Sequence, residues 1–544
     1  MAAGEITRRA GLIATAPIKP VERLLDEPRV VTESLGGSPL ARLAVEERAP
    51  DDWYPRRPHS PNEWRERALR VRSETDPKWA EGIALALVHR AESQQRLARV
   101  IAGQGIVVTT GQQPGLFGGP IYTTAKALSA LALADAIEDA TGIPTAPIFW
   151  AATDDADFAE AAATVVVVDG TAQELRIARD PATDGNPLYA VPLPRVDALI
   201  ARLEEASGSS PDARPISLVR QSYGVGHTVG SAYVELLADL LGPLGIAILD
   251  AGHRAVRTAG HGVLRKALEN AAQVERATSA REGAIRSAGF EPQVESVVGR
   301  SLVFDVRSSK ERLPVDKAAN AASQANPGDL SPNVLLRPVV ERAILPTVAY
   351  VAGPGELAYF AQTSAVADAL GVQVPLGVPR WSVTIVEPHV DRIVVEFGLK
   401  LSDLAALHNV EARLARQIVP HAVTEEVRAL RGAIDERLYD LQEEVGSDSS
   451  VPLSAEAIEG ARRALQLRVD RLERRVLAAA KHADRARLRR VAAAAASVYP
   501  MSKRQERAAN LIPFLARYGM SLVDAMRREA ASHARRLLTG QPTP

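Results

Sequence analysis

The stretch from Ile106 to Phe158, IVVTTGQQPGLFGGPIYTTAKALSALALADAIEDATGIPTAPIFWAATDDADF, constrains the fold more than any other part of the chain. An apolar run at Ile106–Val108 enters a glycine-rich loop, Gly111 to Gly119, after which Ala125, Leu128, Leu131, Ala132 and Ile137 share one face at helical spacing. Gly142 and Pro144 close that helix. Ala146–Ala151 then reads as a second buried strand, ending at Asp154, Asp155 and Asp157. Strand, helix and strand in this order form a parallel unit. In an open parallel sheet the carboxyl ends of the strands face one crevice, so the glycine loop and the carboxylates are expected side by side there.

Gly115, Gly118 and Gly119 permit positive φ and close approach of backbone to a ligand, and Pro120 suits a first helical turn. Free N–H groups at that helix start favour an anion. The candidate binding residues here are Gly111, Gln112, Gln113, Gly118 and Gly119, with Tyr122 and Lys126 one helical turn apart. The spacing fits neither G-x-G-x-x-G nor a P-loop, so neither mode of phosphate binding follows from it. A tight turn with a solvated lysine is the competing reading. Asp154, Asp155 and Asp157 have two readings as well: side-chain caps for the next helix, or crowded carboxylates that balance a substrate ammonium or a metal.

A second block repeats the pattern. Leu345–Val351 is an apolar strand, Gly353-Pro354-Gly355 a turn, and Glu356 to Ala369 a helix. Glu356 lies in the first turn, where a carboxylate suits the helix dipole, and it faces the loop together with Tyr359. Gly353, Gly355, Glu356 and Tyr359 are candidates for holding a substrate amino group. Arg380, after a further strand, either binds a carboxylate through its fork of donors or makes a surface ion pair.

These blocks carry a resemblance. TGQQPGLFGGPIYTTAKA with PIFWAATDDADF, then LSPNVLLRPVVERAILPTVAYVAGPGELAYFAQ (Leu330 to Gln362), VPLGVPRWSVTIVEP (Val374 to Pro388) and the ending Tyr499 to Met526 resemble, in family order, the bacillithiol biosynthesis cysteine-adding enzymes. The resemblance implies an α/β fold: a Rossmann-like core similar to class I nucleotidyltransferases, with inserted connecting segments and a C-terminal antiparallel helical coiled coil. On that basis residues 1–390 form the core, with insertions at about 164–330, followed by a connector at 391–423, a hairpin at 424–499 and a returning segment at 500–544. The implied activity is a ligase that adds L-cysteine to glucosaminyl malate. Asp154, Asp155 and Asp157 would orient the attacking amine and take its proton. Amide formation from a free acid is uphill in water, so ATP is the expected co-substrate, although no motif signals it. No metal ligand set is read. The chain departs from the family pattern at Ala156, where a histidine is expected, and at Glu341-Arg342, where Gln-Asp is expected. An inactive relative serving as a scaffold, and a nucleotidyltransferase acting on another substrate, are the alternatives.

Charge and composition exclude other classes. The 65 basic and 66 acidic residues leave a net charge of −1, so no global field draws nucleic acid or an anionic membrane. With 0 cysteines the chain has no disulfide, thiolate ligand or cysteine nucleophile, which fits a cytoplasmic protein. Arg8 and Arg9 precede a short apolar stretch, Gly11–Ile18, that Lys19 and Pro20 break, so neither a signal peptide nor a membrane span is read.

Elsewhere the spacing predicts helices over Glu63–Arg72, Trp79–Ile101 and Thr228–Leu241, and strands at Val165–Val168, Leu188–Leu193 and Ile246–Leu249. Trp53 and Trp64 read as core, His227 and His253 as surface or capping residues, and Asp316–Leu330 as a mobile loop. Val427, Leu430, Ile434, Leu438, Leu441 and Val445 form one helical seam. Leu465, Val469, Leu472 and Val476 form a second, beyond a break at Gly446–Pro452, which together predict an antiparallel hairpin. Its arginines, Arg462 and Arg463 among them, read as solvated faces balanced by glutamates. The resemblance implies a homodimer through this hairpin, and Ala492–Ala496 reads as an exposed stripe suited to close helix approach. Met501-Ser502-Lys503 resembles part of the Lys-Met-Ser-Lys-Ser loop of class I synthetases, but it lies after the hairpin and is read as accidental.

Overall fold

The computed structural model describes residues 27–209, 212–307, 310–447 and 453–543. The segment with Arg8, Arg9 and Gly11–Ile18 lies outside the described residues. The strands are β1 (Arg29–Glu33), β2 (Leu87–Val88), β3 (Ile106–Gln112), β4 (Thr145–Ala151), β5 (Ala163–Val168), β6 (Thr171–Arg176), β7 (Ala247–Asp250), β8 (Arg300–Asp305), β9 (Glu311–Pro314), β10 (Leu330–Pro332), β11 (Thr347–Ala352), β12 (Gly377–Pro379) and β13 (Ser382–Val386).

The central sheet has the order β12-β11-β3-β4-β7-β2. Its pairings are parallel except for the edge strand β2, which runs antiparallel to β7. From β3 the chain walks outward through β4 to β7, and later returns on the other side of β3 to lay down β11 and β12. The direction therefore reverses between β3 and β11, and a crevice opens at such a switch point. β3 and β4 are buried on both faces, which is why they read as continuous apolar runs rather than alternating ones.

The Ile121–Thr141 helix crosses from β3 to β4 and ends at Gly142, whose φ of 69° supplies a left-handed cap. The sequence assigned it one apolar face. The structure buries it nearly all round, because the long helix Ile512–Leu538 covers the side turned away from the sheet. Truncating a fully buried side chain here, such as Leu133→Ala, costs about 2–5 kcal/mol.

Several expectations need correction. The helix expected over Trp79–Ile101 is broken into Trp79–Ile83 and Ala91–Ala102, because the chain between them extends to pair with β7 as β2. Leu188–Leu193 is a single turn rather than a strand, in a segment punctuated by Pro187, Pro192 and Pro194 that cannot donate to a ladder. β5 forms a separate hairpin with β6. Asp316–Leu330 contains the helix Ala318–Gln324, which buries Ala318 and Ala322. The stripe Ala492–Ala496 is not free: Ala494 and Ala495 pack under Val386, Val390 and Ile393.

Trp53 and Trp64 are buried as expected, and His253 caps the helix Arg254–Ala259. The helices His421–Ser447 and Ala455–Ala483 form the expected hairpin. Arg431 reaches Asp470 at 2.7 Å and Glu473 at 3.0 Å, Arg462 reaches Asp435 at 3.4 Å, and Arg463 pairs with Glu459 at 3.3 Å. A small antiparallel sheet, β10-β8-β9, stands over the carboxyl ends of β4 and β11 and roofs the crevice.

Candidate functional site

A cavity of about 640 Å³ occupies the switch point. Gly111, Gln112 and Gln113 at the end of β3 form one wall, with Asp154, Asp155 and Ala156 after β4 beside them. Gly353, Gly355, Glu356 and Tyr359, at and beyond the end of β11, form the opposite wall. Phe304, Lys310 and Arg312 close the roof, and Arg507 enters from the C-terminal part of the chain. Gly111 is required by packing: a Cβ there would lie 2.8 Å from the Trp150 carbonyl oxygen and 3.0 Å from its Cβ.

Lys126 is buried beneath this floor with 3% of its side chain exposed. Its ammonium donates to the Gly111 carbonyl at 2.6 Å and to Gln112 Oε1 at 3.0 Å, and it pairs with the Glu356 carboxylate. An ammonium has three protons, so these partners use its capacity. It ties the two halves of the sheet together and leaves no proton for a ligand. Burial lowers its pKa against the pull of Glu356.

Glu356 also accepts from the Gly353 N–H and the Tyr350 hydroxyl, each at 2.6 Å. Burial pushes its carboxyl up, but Lys126 and Arg337 outweigh that and hold it below the usual range. Arg337 donates to the hydroxyls of Tyr350 at 3.2 Å and Tyr359 at 3.0 Å, and to Glu341 at 3.3 Å. Burial pushes Glu341 up to about 7 despite that contact.

Arg380 lines the same cavity, but its terminal nitrogens bond both Glu506 oxygens at 2.8 and 2.7 Å inside the protein. The surface ion pair weighed from the sequence is therefore a buried one. Tyr122 lies between two guanidinium groups, Arg380 at 5.8 Å and Arg507 at 5.9 Å from its ring centre.

The acidic cluster divides. Asp154 accepts from Ser331 Oγ at 2.9 Å and lies 3.8 Å from Lys310, whose ammonium also bonds the Asp154 carbonyl. Asp155 accepts from Gln113 Nε2 at 2.7 Å. Asp157 stays off the cavity wall and caps the short helix Phe158–Ala161, accepting from the Glu160 N–H at 3.2 Å. Among the described residues no three histidine, aspartate or glutamate side chains converge as a metal site.

The glycine turn is held from behind. Gly118 and Gly119 take φ of 87° and 75°, and neither lines the cavity. Asn510 Nδ2 reaches the carbonyl oxygens of Leu116, Phe117 and Gly119 at 3.3, 3.1 and 3.3 Å. The Ile121 N–H donates to the Ala509 carbonyl at 2.9 Å, so part of the helix start expected to hold an anion is occupied by the chain itself. On the far side of Gln112 and Tyr122 a second cavity of about 260 Å³ opens, with Gly115, Lys503 and Met501 on its wall.

Sequence reasoning missed Glu160, Arg337, Lys310, Arg312 and Arg507. Glu160 faces both cavities; burial, then Asp157 and Asp155, push its carboxyl up. Its position three residues after Asp157 was the available signal. Lys310 and Arg312 belong to an insertion with no local pattern of its own, and only the sheet β10-β8-β9 brings them over the site.

The family model described as "Bacillithiol biosynthesis BshC, N-terminal Rossmann-like domain" matches residues 45–381. The one described as "Bacillithiol biosynthesis BshC, C-terminal coiled-coil domain" matches residues 383–537. Among curated relatives, proteins named "Putative cysteine ligase BshC" are 31% identical over 485 residues in Solibacter usitatus, covering 84% of this chain and 89% of the relative. In Koribacter versatilis the identity is 31% over 442 residues, with 77% and 81% covered. In Geobacillus thermodenitrificans it is 27% over 496 residues, with 85% and 90% covered.

Proposed function

The chain belongs to the bacillithiol biosynthesis BshC family, and on that premise we propose that it is a ligase joining L-cysteine to glucosaminyl malate in the last step of bacillithiol synthesis. The observation that carries this reading is the division of the 640 Å³ cavity into an acidic wall, Asp155 and Glu160, and a cationic roof, Lys310 and Arg312. Glucosaminyl malate has the matching chemistry, an amine on the sugar and carboxylates on the malate.

Asp155 orients the amine and accepts the proton it sheds. The amine nitrogen bonds to the carboxyl carbon of cysteine as the bond from that carbon to its leaving oxygen breaks. ATP would supply the driving force: the carboxylate oxygen would bond to a phosphorus of ATP as a phosphoanhydride bond breaks and ADP or pyrophosphate leaves, so that the oxygen departs as part of a phosphate group. The residues present fit such a co-substrate through side-chain cations, Arg312 and Arg507, rather than through the helix start.

We place the activity in the cytoplasm and in a homodimer. Among the described residues no helix is long and apolar enough to cross a membrane. On the hairpin, Leu430, Leu441, Leu465 and Leu472 remain 43%, 43%, 40% and 45% exposed along the expected seams, an apolar surface suited to a second copy.

The test is to incubate the full chain with L-cysteine, glucosaminyl malate and ATP and to follow bacillithiol by mass spectrometry. Product that depends on all three, and that falls at least about 100-fold with Asp155→Asn, supports the reading. Absence of product from folded protein, with ATP–pyrophosphate exchange proceeding without cysteine, replaces it with nucleotidyl transfer to another substrate.

A further inference from the structure

The smaller cavity, beside the glycine turn, shares Glu160 and Arg507 with the larger one, but the space itself is given no occupant above. We propose that it is the binding pocket for a free α-amino acid, which on the ligase reading is the L-cysteine substrate. At about 260 Å³ it lies below the roughly 300 Å³ at which drug-sized ligands begin to fit.

Its charges are unpaired in a complementary way. Lys503 and Arg507 have no carboxylate partner within ion-pair distance among the described residues. Glu160, on the same wall, has no cation in contact among the described residues; its side-chain partner is the Gln112 amide at 3.5 Å, and Asp155 and Asp157 crowd it. Arg507 is near enough to temper Glu160 without pairing with it. The remaining carboxylate, Glu174, is committed to Arg176 at 2.8 Å. Two cations and one lone carboxylate around a small space match the two ends of a zwitterion, with the α-carboxylate at Lys503 and Arg507 and the α-ammonium at Glu160.

Met501 and Ser502 take consecutive left-handed conformations, φ 53° and 60°, which non-glycine residues hold only when their surroundings impose them. That turn places Lys503 on the wall and leaves Met501 52% exposed beside it, a residue whose thioether is a soft, polarisable contact for a thiol. Gln112, Gln113, Tyr122, Glu160 and Arg507 border both cavities. A carboxylate bound by Arg507 therefore sits at the boundary with the space assigned to the attacking amine.

The experiment is a ligand-observed NMR titration of the full chain with L-cysteine, cysteamine, which lacks the carboxylate, and 3-mercaptopropionate, which lacks the ammonium, each with and without ATP. Thermal unfolding verifies that the variants Lys503→Ala and Glu160→Gln fold. Lys503→Ala weakens L-cysteine and 3-mercaptopropionate by about 10- to 100-fold and leaves cysteamine unchanged. Glu160→Gln weakens L-cysteine and cysteamine to a similar extent and leaves 3-mercaptopropionate unchanged. L-cysteine binding that is insensitive to both variants overturns the pocket assignment while the ligase reading stands. No L-cysteine binding to the wild-type chain in either condition also overturns it, and the bacillithiol assay then decides separately whether the ligase reading falls with it.

Discussion

Lys126 and Glu356 form a buried ion pair across the switch point of the sheet, the lysine from the helix after β3 and the glutamate from the helix after β11. Lys126→Met leaves the Glu356 carboxylate without its ammonium and costs about 3–5 kcal/mol of stability. Glu356→Gln in the same chain recovers part of that loss, because no uncompensated charge remains, but does not recover turnover, because the two halves of the site are no longer fastened. Urea unfolding and product formation measured side by side separate the two effects.

Glu341 gives stability a pH dependence of known sign. Its folded pKa is raised from 4.5 to about 7, so between those values the native state holds a proton that the unfolded state has released. Stability therefore falls as pH rises through that window, by on the order of 1–3 kcal/mol. Glu341→Gln cannot lose a proton, and its stability changes less between pH 4.5 and pH 8 than that of the wild type. Urea midpoints of both proteins at the two pH values provide the comparison.

The Arg380–Glu506 pair fastens the end of the chain to the edge of the site. Arg380→Met strands a carboxylate that Ser382 and Val383 still bond at 2.8 and 3.1 Å, and costs about 3–5 kcal/mol. The double variant Arg380→Met, Glu506→Gln costs less than Arg380→Met alone, since the amide keeps an acceptor without the charge. A double-mutant cycle by denaturant unfolding reads the difference.

The half-exposed seam of the hairpin predicts a change of mass. Replacing Leu430 and Leu472 with glutamate puts charge on that surface and converts a dimer to monomer in sedimentation velocity, with little change in the thermal unfolding of the core. A wild-type chain that sediments as a monomer at micromolar concentration removes the dimer from the proposal.

The parallel unit around β3 and β4, the second unit at β11 and the hairpin were legible because each is announced locally, by helical spacing and by glycines where the chain turns. The division among the three aspartates was not. Whether Asp157 caps a helix or faces a substrate depends on where the helix Phe158–Ala161 begins, and both readings fit the same residues. The partners of Lys126 and Arg380 were hidden for another reason: charge pairing between distant segments leaves no periodic trace. Lys310 and Arg312 were invisible because an insertion without pattern of its own delivers them. The edge strand β2 and the buried alanines near Ala494 record tertiary packing overriding local preference.

Asn510 grips the glycine turn from 391 residues further along the chain than Gly119. On a ribosome moving at 5–20 residues per second, roughly 20 to 80 s pass between the making of the turn and the making of its clasp. Throughout that interval the turn lacks the side chain that holds the Leu116, Phe117 and Gly119 carbonyls, so its shape is fixed only once the segment around Asn510 emerges.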